Sequence, residues 1–351
     1  MPDYIERMAD RRLRDLASEL PAVLITGPRA AGKTTTARRL AESVVRLDRP
    51  AEAEAFAADP DAALRGRAEP LLLDEWQVVP DVLGAVKRAV DDDPRGGRFL
   101  LTGSVRADLD AETWPGTGRV VRLRMYGLTM AERRGTIQTT SFIQRLARAD
   151  LEAFRIPAEA PDLRGYVELL IESAFPEPAL RLSASGGQAW TSGYLDQLLT
   201  RDAAQLVGLR EPARLRRYFE ALALSTAGTP VHRTLYEAAG LARNTAAVYD
   251  ELLTNLFVLD VVPSWTSNRL RRLSRLGKRY IVDPALVTVA LQLDVDAVMA
   301  DGDLLGRLLD TFVMAQIRPE IDLVTPSARL FHLREKDGRH EIDVVAEQSA
   351  G

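Results

Sequence analysis

The residues of this 351-residue chain best suited to chemistry are Gly27-Pro28-Arg29-Ala30-Ala31-Gly32-Lys33-Thr34-Thr35, which follow the apolar run Leu24-Ile25-Thr26. Gly-x-x-x-x-Gly-Lys-Thr between a strand and a helix is the pattern of a phosphate-binding loop. Its glycines let the backbone curl until successive N–H groups face the β-phosphate, and the following helix adds the positive end of its dipole. In such a loop Lys33 reaches the β- and γ-phosphates and Thr34 offers its hydroxyl to Mg²⁺. A second pair of candidates lies at Leu71-Leu72-Leu73-Asp74-Glu75, where a buried strand ends in two acids. Asp74 is the candidate for holding Mg²⁺ through its water shell, and Glu75 the base that polarises the water attacking the γ-phosphate.

These residues need a sheet to bring them together. After the loop, residues from Thr35 to Glu42 read as a helix, and four more apolar segments come at intervals that suit alternating strands and helices. They are Val44–Asp48, Leu71–Glu75, Arg98–Ser104 and Arg119–Leu123. With the strand before the loop they make five, enough for an α/β domain with a parallel sheet, whose ligands sit at the carboxyl ends of the strands.

Composition narrows the function classes. The apolar fraction of 46% and charged fraction of 27% are those of a globular protein of two or three domains. There is no cysteine, which removes disulfides, thiolate zinc sites and cysteine nucleophiles. The histidines, His232, His332 and His340, are too far apart in sequence to suggest a metal cluster. The N-terminus lacks a signal-peptide core and no apolar stretch is long enough to span a bilayer, so a cytoplasmic protein without membrane attachment is expected. A net charge of −4 excludes a uniformly basic nucleic-acid coat. One local basic segment stands out, with Arg269, Arg271, Arg272, Arg275, Lys278 and Arg279.

The strand between the loop helix and the acid-pair strand resembles the additional-strand, catalytic-glutamate branch of P-loop ATPases. That branch implies a polar γ-phosphate sensor at the end of the strand lying between the two Walker strands: Thr102, with Ser104 as the alternate. No Asn-Lys-x-Asp guanine-reading motif is present after it, so ATP is the expected nucleotide, with Mg²⁺. Arg119, just beyond the sensor strand, is the leading arginine finger or cis γ-phosphate sensor, in competition with Arg106, Arg122 and Arg124; a trans finger would require a homo-oligomer.

The wider order of motifs is Gly-Pro-Arg-x-x-Gly-Lys-Thr, Leu-Asp-Glu-Trp-Gln-x-x-Pro, Leu-Leu-Thr-Gly-Ser, Gly-Arg and Leu-Thr-Met-Ala-Glu. It resembles a large prokaryotic family of AAA-superfamily ATP-binding proteins over almost the whole chain. The resemblance implies an AAA-type ATPase domain, then a winged-helix region, then a C-terminal domain of unknown function similar to a PD-(D/E)xK nuclease fold. The corresponding division is 1–135 for the ATPase domain, 136–205 for a helical lid or connector, 206–265 for the winged helix and 266–351 for the nuclease-like domain. Ile171–Glu177 and Arg201-Asp202 are similar to family landmarks but carry no chemical role at this level.

In the winged-helix region, Leu235–Leu253 reads as helix, glycine turn, helix, with Phe257–Pro263 as the strand after it. In a DNA reader the second helix enters the major groove, and here its start supplies Arg243, Asn244 and Thr245. A protein-docking or structural role is the other reading. The basic segment comes next, either as a phosphate-holding surface or as a solvated loop. In the last region Asp310 and Asp343 are the acids the nuclease resemblance selects, whereas Glu341 and Asp343 also read as alternating positions of a half-exposed strand. That fold further needs a Glu-x-Lys strand, which the sequence to Gly351 lacks, so the domain is expected to be truncated or degenerate and no nuclease activity is assigned to it.

Three function classes result. The first is Mg²⁺-dependent ATP binding and hydrolysis. The second is a nucleotide-gated DNA- or protein-binding switch with little or no turnover. The third, a nuclease effector, is disfavoured by the missing strand.

Overall fold

The computed structural model describes residues 4–104, 118–138, 140–150, 154, 159–204, 211–273, 275–324, 328–335 and 340–348. The chain forms two compact units, one of residues 1–126 with 255–257 and one of residues 127–254 with 258–351.

The first unit is built on a five-stranded parallel sheet of β1 (Ala22–Thr26), β2 (Ser43–Arg46), β3 (Leu71–Asp74), β4 (Phe99–Gly103) and β5 (Val120–Arg124), in the order β2-β3-β4-β1-β5. The α/β class and the five parallel strands expected from the sequence are therefore present. The central strands β1, β3 and β4 are apolar runs because helices and loops cover both their faces, and almost every residue in them is buried. The edge strands β2 and β5 carry Ser43, Arg46, Arg122 and Arg124 where solvent reaches them. The core joins Leu24, Leu71, Leu73 and Leu101 of the sheet to Phe56, Trp76, Val82 and Val86. Helix Val82–Asp92 buries Val82, Leu83, Ala85, Val86 and Val90, the stripe a helix presents to a sheet.

Helix Lys33–Arg38 starts directly after the loop but stops before the expected Glu42. There the chain is already drawn into the sheet: Glu42 N–H donates to the Pro70 carbonyl at 2.9 Å, which sets β2 beside β3.

The second unit is helical, with two antiparallel hairpins: β6 (Leu259–Val262) with β7 (Lys278–Ile281), and β8 (Ala328–Arg334) with β9 (Glu341–Gln348). Helices Pro212–Leu224, His232–Ala238 and Arg243–Asn255 precede the first hairpin, and Gly240 makes the expected turn between the last two at φ +64°. An isolated bridge from Gly228 to Arg279 extends that hairpin by one short antiparallel pairing.

The segments 136–205, 206–265 and 266–351, separated in the sequence reading, fall in one unit: Asp283 ties the first to the third, and the bonds Thr226–Thr311 and Arg279–Asp250 tie the second to the third. Asp283, the N-cap of helix Pro284–Ala290, accepts from Ser173 Oγ and Ala174 N at 2.8 Å each and from Ala285 N at 3.0 Å. The Ile171–Glu177 landmark thus has a structural role: Ser173 and Ala174 hold a fully buried carboxylate of the C-terminal half, whose pKa burial raises against these donors.

A charge cluster within 266–351 corrects the basic segment. Lys278 does not point at solvent phosphate; its side chain is 3% exposed and its ammonium lies 3.3 Å from Asp310, 3.4 Å from Glu341 and in contact with Asp343. Burial opposes its charge, yet the hydrogen bond to Asp343 and the surrounding acids hold its pKa above the ordinary lysine value. Asp310, on helix Gly302–Ile321, and Asp343, on β9, do come together, but around an ammonium from β7. Arg279 is similarly engaged with Asp250 at 2.8 Å, and Arg272 with Glu347 at 2.7 Å. Only part of the expected cationic surface remains exposed, Arg269 and Arg271 among it.

Lys278→Met should cost about 1–3 kcal/mol, discounted because the three carboxylates keep solvent contact. The deficit should be larger at pH 8 than at pH 4.5, since acids crowded without a cation gain stability only by taking up protons. Urea denaturation of the parent and the variant at both pH values checks this.

Candidate functional site

The site forms at the carboxyl ends of β1, β3 and β4. Gly27 leaves β1 at φ +146° and passes so close to the turn after β5 that a Cβ there would lie 2.1 Å from the Met125 carbonyl oxygen. No other residue fits that approach. The loop continues through Ala30 at φ +60° and Gly32 at φ +93°, with Pro28 and Ala31 buried, Arg29 and Ala30 exposed, and the Ala31 N–H donating to the Pro28 carbonyl at 3.4 Å. Helix Lys33–Arg38 then starts with Lys33, Thr34 and Thr35 on its first turn, Thr35 exposed.

Lys33 is 5% exposed, and its ammonium donates to the carbonyls of Gly27 at 3.0 Å and Pro28 at 2.7 Å, folding back over its own loop. Burial lowers its pKa from 10.5 to about 8, against the raising influence of Glu75 first and Asp74 second. A lysine of this kind gains free energy from any anion that enters its loop.

The register of the sheet sets the other side. Asp74 pairs with Thr102 across β3 and β4, and β4 lies between β3 and β1, as the resemblance implied for the sensor strand. Asp74 is 3% exposed, and its Oδ1 accepts from Thr34 Oγ1 at 2.6 Å and from Thr102 Oγ1 at 2.5 Å. Loop helix, acid strand and sensor strand therefore meet at one carboxylate oxygen. Ser104, the alternate sensor, is buried at 1% exposure, and its hydroxyl bonds no described residue.

Glu75 comes next in the left-handed region, φ +56° and ψ +47°, and heads the 3₁₀ turn Trp76–Val78. Its carboxylate accepts from the Gln77 side-chain amide.

The donor set suits a small hard cation. One carboxylate and one hydroxyl, 2.6 Å apart at the end of the loop, could supply the protein share of a Mg²⁺ site, with water and phosphate oxygens as the other ligands. Among the described residues no cluster of three or more His, Cys, Asp or Glu side chains suits a metal.

Arg119 is not brought to this site. It precedes β5, whose first residue Val120 pairs with Ala22 at the start of β1, so it lies at the amino edge of the sheet, opposite the loop. There its guanidinium meets Asp91 at 2.8 Å. Parallel register is the reason: residues just before a strand and residues just after it lie at opposite ends of the sheet. Arg124, one of its competitors, is at the correct end, opposite Thr26, with its guanidinium 5.6 Å from the Tyr126 ring centroid. Arg122 is an exposed mid-strand residue, and Arg106 lies outside the described residues.

Two contributors carry no sequence signal of this kind. Arg7, 6% exposed at the start of helix Met8–Glu19, donates to the Ala31 carbonyl of the loop and to the Tyr126 carbonyl, both at 2.7 Å. It clamps the loop to the turn after β5 over long sequence separations, which no local pattern reveals. Gln77 was visible only as a letter of a motif.

Comparison with known proteins bears on the fold and the family. Residues 19–133 match the family model described as an AAA domain, and residues 163–297 match a domain of unknown function, DUF8612. The Walker-type ATPase PABY2304 of Pyrococcus abyssi shares the fold, with a TM-score of 0.52 over 82% of this chain and 96% of that one, at 13% identity. The uncharacterized proteins Mb2031c of Mycobacterium bovis and Rv2008c of Mycobacterium tuberculosis are each 30% identical over 354 residues, covering 98% of this chain and 71% of theirs. No helix among the described residues is long and apolar enough to cross a membrane. The chain belongs to the family of these mycobacterial proteins, and its first unit is an AAA domain with the fold of a P-loop ATPase.

Proposed function

We propose that the first unit binds ATP with Mg²⁺ and hydrolyses it to ADP and phosphate. The observation that carries this reading is the shared oxygen of Asp74, which accepts from the hydroxyls of Thr34 and Thr102 beside the buried ammonium of Lys33. In this reading the loop from Gly27 to Thr35 wraps the phosphates, and Lys33 exchanges its loop carbonyls for β- and γ-phosphate oxygens. Thr34 and Asp74 would hold Mg²⁺, which would supply charge neutralisation on the phosphates. Glu75 takes the proton of the attacking water, and Thr102 senses the γ-phosphate through the carboxylate it shares with Thr34. Arg124 replaces Arg119 as the in-chain candidate for stabilising charge on the transferring group, since register puts it at the loop end of β5.

A second activity is favoured by the element order helix, short bridge strand, helix, helix, hairpin over 212–281, which is that of a winged helix. Arg243 and Asn244 are exposed at the start of helix Arg243–Asn255, where a DNA reader would present them, with Thr245 half-buried beside them. DNA or a protein partner docked here would make ATP turnover the gate of a binding event. The Lys278 node argues against a nuclease: Asp310 and Asp343 are engaged by an ammonium.

Steady-state hydrolysis with Mg²⁺ tests the main reading. Lys33→Ala should abolish nucleotide binding, and Glu75→Gln should bind ATP with parental affinity while losing at least about a hundredfold in kcat. Equal turnover by Glu75→Gln and the parent would remove Glu75 as base. Because binding needs the ammonium of Lys33, whose pKa is about 8, ATP affinity measured by calorimetry should fall about tenfold between pH 7 and pH 9. Duplex DNA titrated at low salt should bind the parent and bind Arg243→Ala with a weaker dependence on salt; no binding at low salt would leave a protein as the docking partner.

A further inference from the structure

The side chain of Gln77 has one hydrogen-bonding neighbour among the described residues, and it is the candidate base. Glu75 heads a 3₁₀ turn, and the usual place for an acid at such a position is over the free N–H groups of the turn, where it would cap them. It does not cap. Its backbone adopts the left-handed conformation instead, at a cost of about 1 kcal/mol for a residue with a Cβ, and strain of this size persists only where the surroundings enforce it.

Three contacts enforce it. The Val78 N–H donates to the Glu75 carbonyl at 3.0 Å and closes the turn that brings residue 77 back towards residue 75. The Gln77 amide nitrogen then donates to Glu75 Oε2, while Gln77 Oε1 is buried without a hydrogen-bond partner. The amide orientation is dictated by charge, since the reverse would set a carbonyl oxygen against a carboxylate. Behind Gln77 stands Gly103, the residue after Thr102: a Cβ at 103 would lie 3.0 Å from Gln77 Oε1 and 2.8 Å from Trp76 Nε1. The end of β4 thus packs straight onto the amide, and a Cβ at 103 would require Gln77 Oε1 and the Trp76 indole to shift. Meanwhile Glu75 follows directly on Asp74, whose carboxylate bonds Thr34 of the loop helix, so its position in the chain sets it beside the loop.

We infer that Gln77 is a positioning residue for ATP hydrolysis: its amide holds Oε2 of Glu75 so that the other carboxylate oxygen faces the attacking water. This rests on the ATPase reading given above. Gln77 touches neither nucleotide nor reacting atoms; it acts by keeping the base off the N–H groups of its own turn. An orphaned buried carbonyl is the cost of that arrangement, and Gly103 leaves the space in which the amide lies. A base free to swing by an ångström loses much of its advantage, because proton abstraction depends on alignment within hydrogen-bond reach.

The test compares the parent, Glu75→Gln, Gln77→Met and Gln77→Met/Glu75→Gln in steady-state ATP hydrolysis with Mg²⁺, alongside ATP affinity and thermal unfolding of each. Methionine keeps the length and bulk of the side chain and removes the donor. The expected result is a kcat for Gln77→Met about ten- to a hundredfold below the parent, with KM and ATP affinity within about twofold. Glu75→Gln should then add less to the Gln77→Met background than it costs alone, because both act through one group. A merely structural Gln77 would instead lower the unfolding temperature or the affinity with kcat retained, and that outcome overturns the proposal. So does parental kcat in Gln77→Met while Glu75→Gln is inactive, which leaves the ATPase reading standing. Equal turnover by the parent and Glu75→Gln, or none in the parent, overturns the reading and the positioning role with it. Should Gln77→Met fail to fold, Gln77→Glu serves in its place: it has no donor, repels Glu75 and is expected to show the same split.

Discussion

Everything in the first unit depends on one oxygen. Asp74 Oδ1 accepts hydrogen bonds from two hydroxyls, one on the first turn of helix Lys33–Arg38 and one near the end of β4, in a position almost sealed from water. Burying a carboxylate is costly unless it is hydrogen-bonded, and each bond to it contributes about 1.5–3 kcal/mol. The bonds exist only because β4 lies between β3 and β1, although it comes after both in the chain. Sheet order, loop geometry and candidate chemistry are thus one constraint seen at three scales. Met125 and Arg7 complete it from outside, the first by leaving no space for a Cβ at Gly27, the second by pinning the Ala31 carbonyl.

The second unit has its own charge centre, of opposite logic. A cation, Lys278, is buried and acids from a helix and a strand far along the chain close over it. Such a node contributes little net stability, since desolvation cancels much of the attraction, but it is demanding about geometry. It fixes β7 against helix Gly302–Ile321 and β9, just as Asp283 fixes helix Pro284–Ala290 to Ser173. The Asp283 bonds join residues 136–205 to the C-terminal segment, whereas the Lys278 cluster holds that last segment together within itself.

The phosphate loop and the acid pair each hold one residue with a Cβ in the left-handed region, Ala30 and Glu75. Gly27 and Gly32 are relaxed at positive φ because they lack a Cβ, whereas Glu75 is strained there. A strained acid beside a phosphate loop, held by the amide two residues on, has the character of a preorganised group rather than of a helix cap.

The sequence by itself determined what is local or periodic. The glycine spacing identified the loop, the runs Leu71–Leu73 and Phe99–Leu101 identified strands buried on both faces, and the polar residue ending each run identified the edge at which ligands meet. Thr34, Asp74 and Thr102 were readable because parallel strands bring their carboxyl ends to one edge whatever the loops do. What the tertiary structure alone decided are the pairings between distant residues of known type. Arg119 looked close to the sensor in sequence, yet a residue before a parallel strand lies a full strand length from one after it, and it pairs with Asp91. Lys278 read as one of a basic run, and its burial depended on Asp310, Glu341 and Asp343 arriving from elsewhere. Charge and spacing are properties of a sequence; whether a charge meets solvent or a partner is a property of the packing, because water and a carboxylate compete for the same ammonium on nearly equal terms.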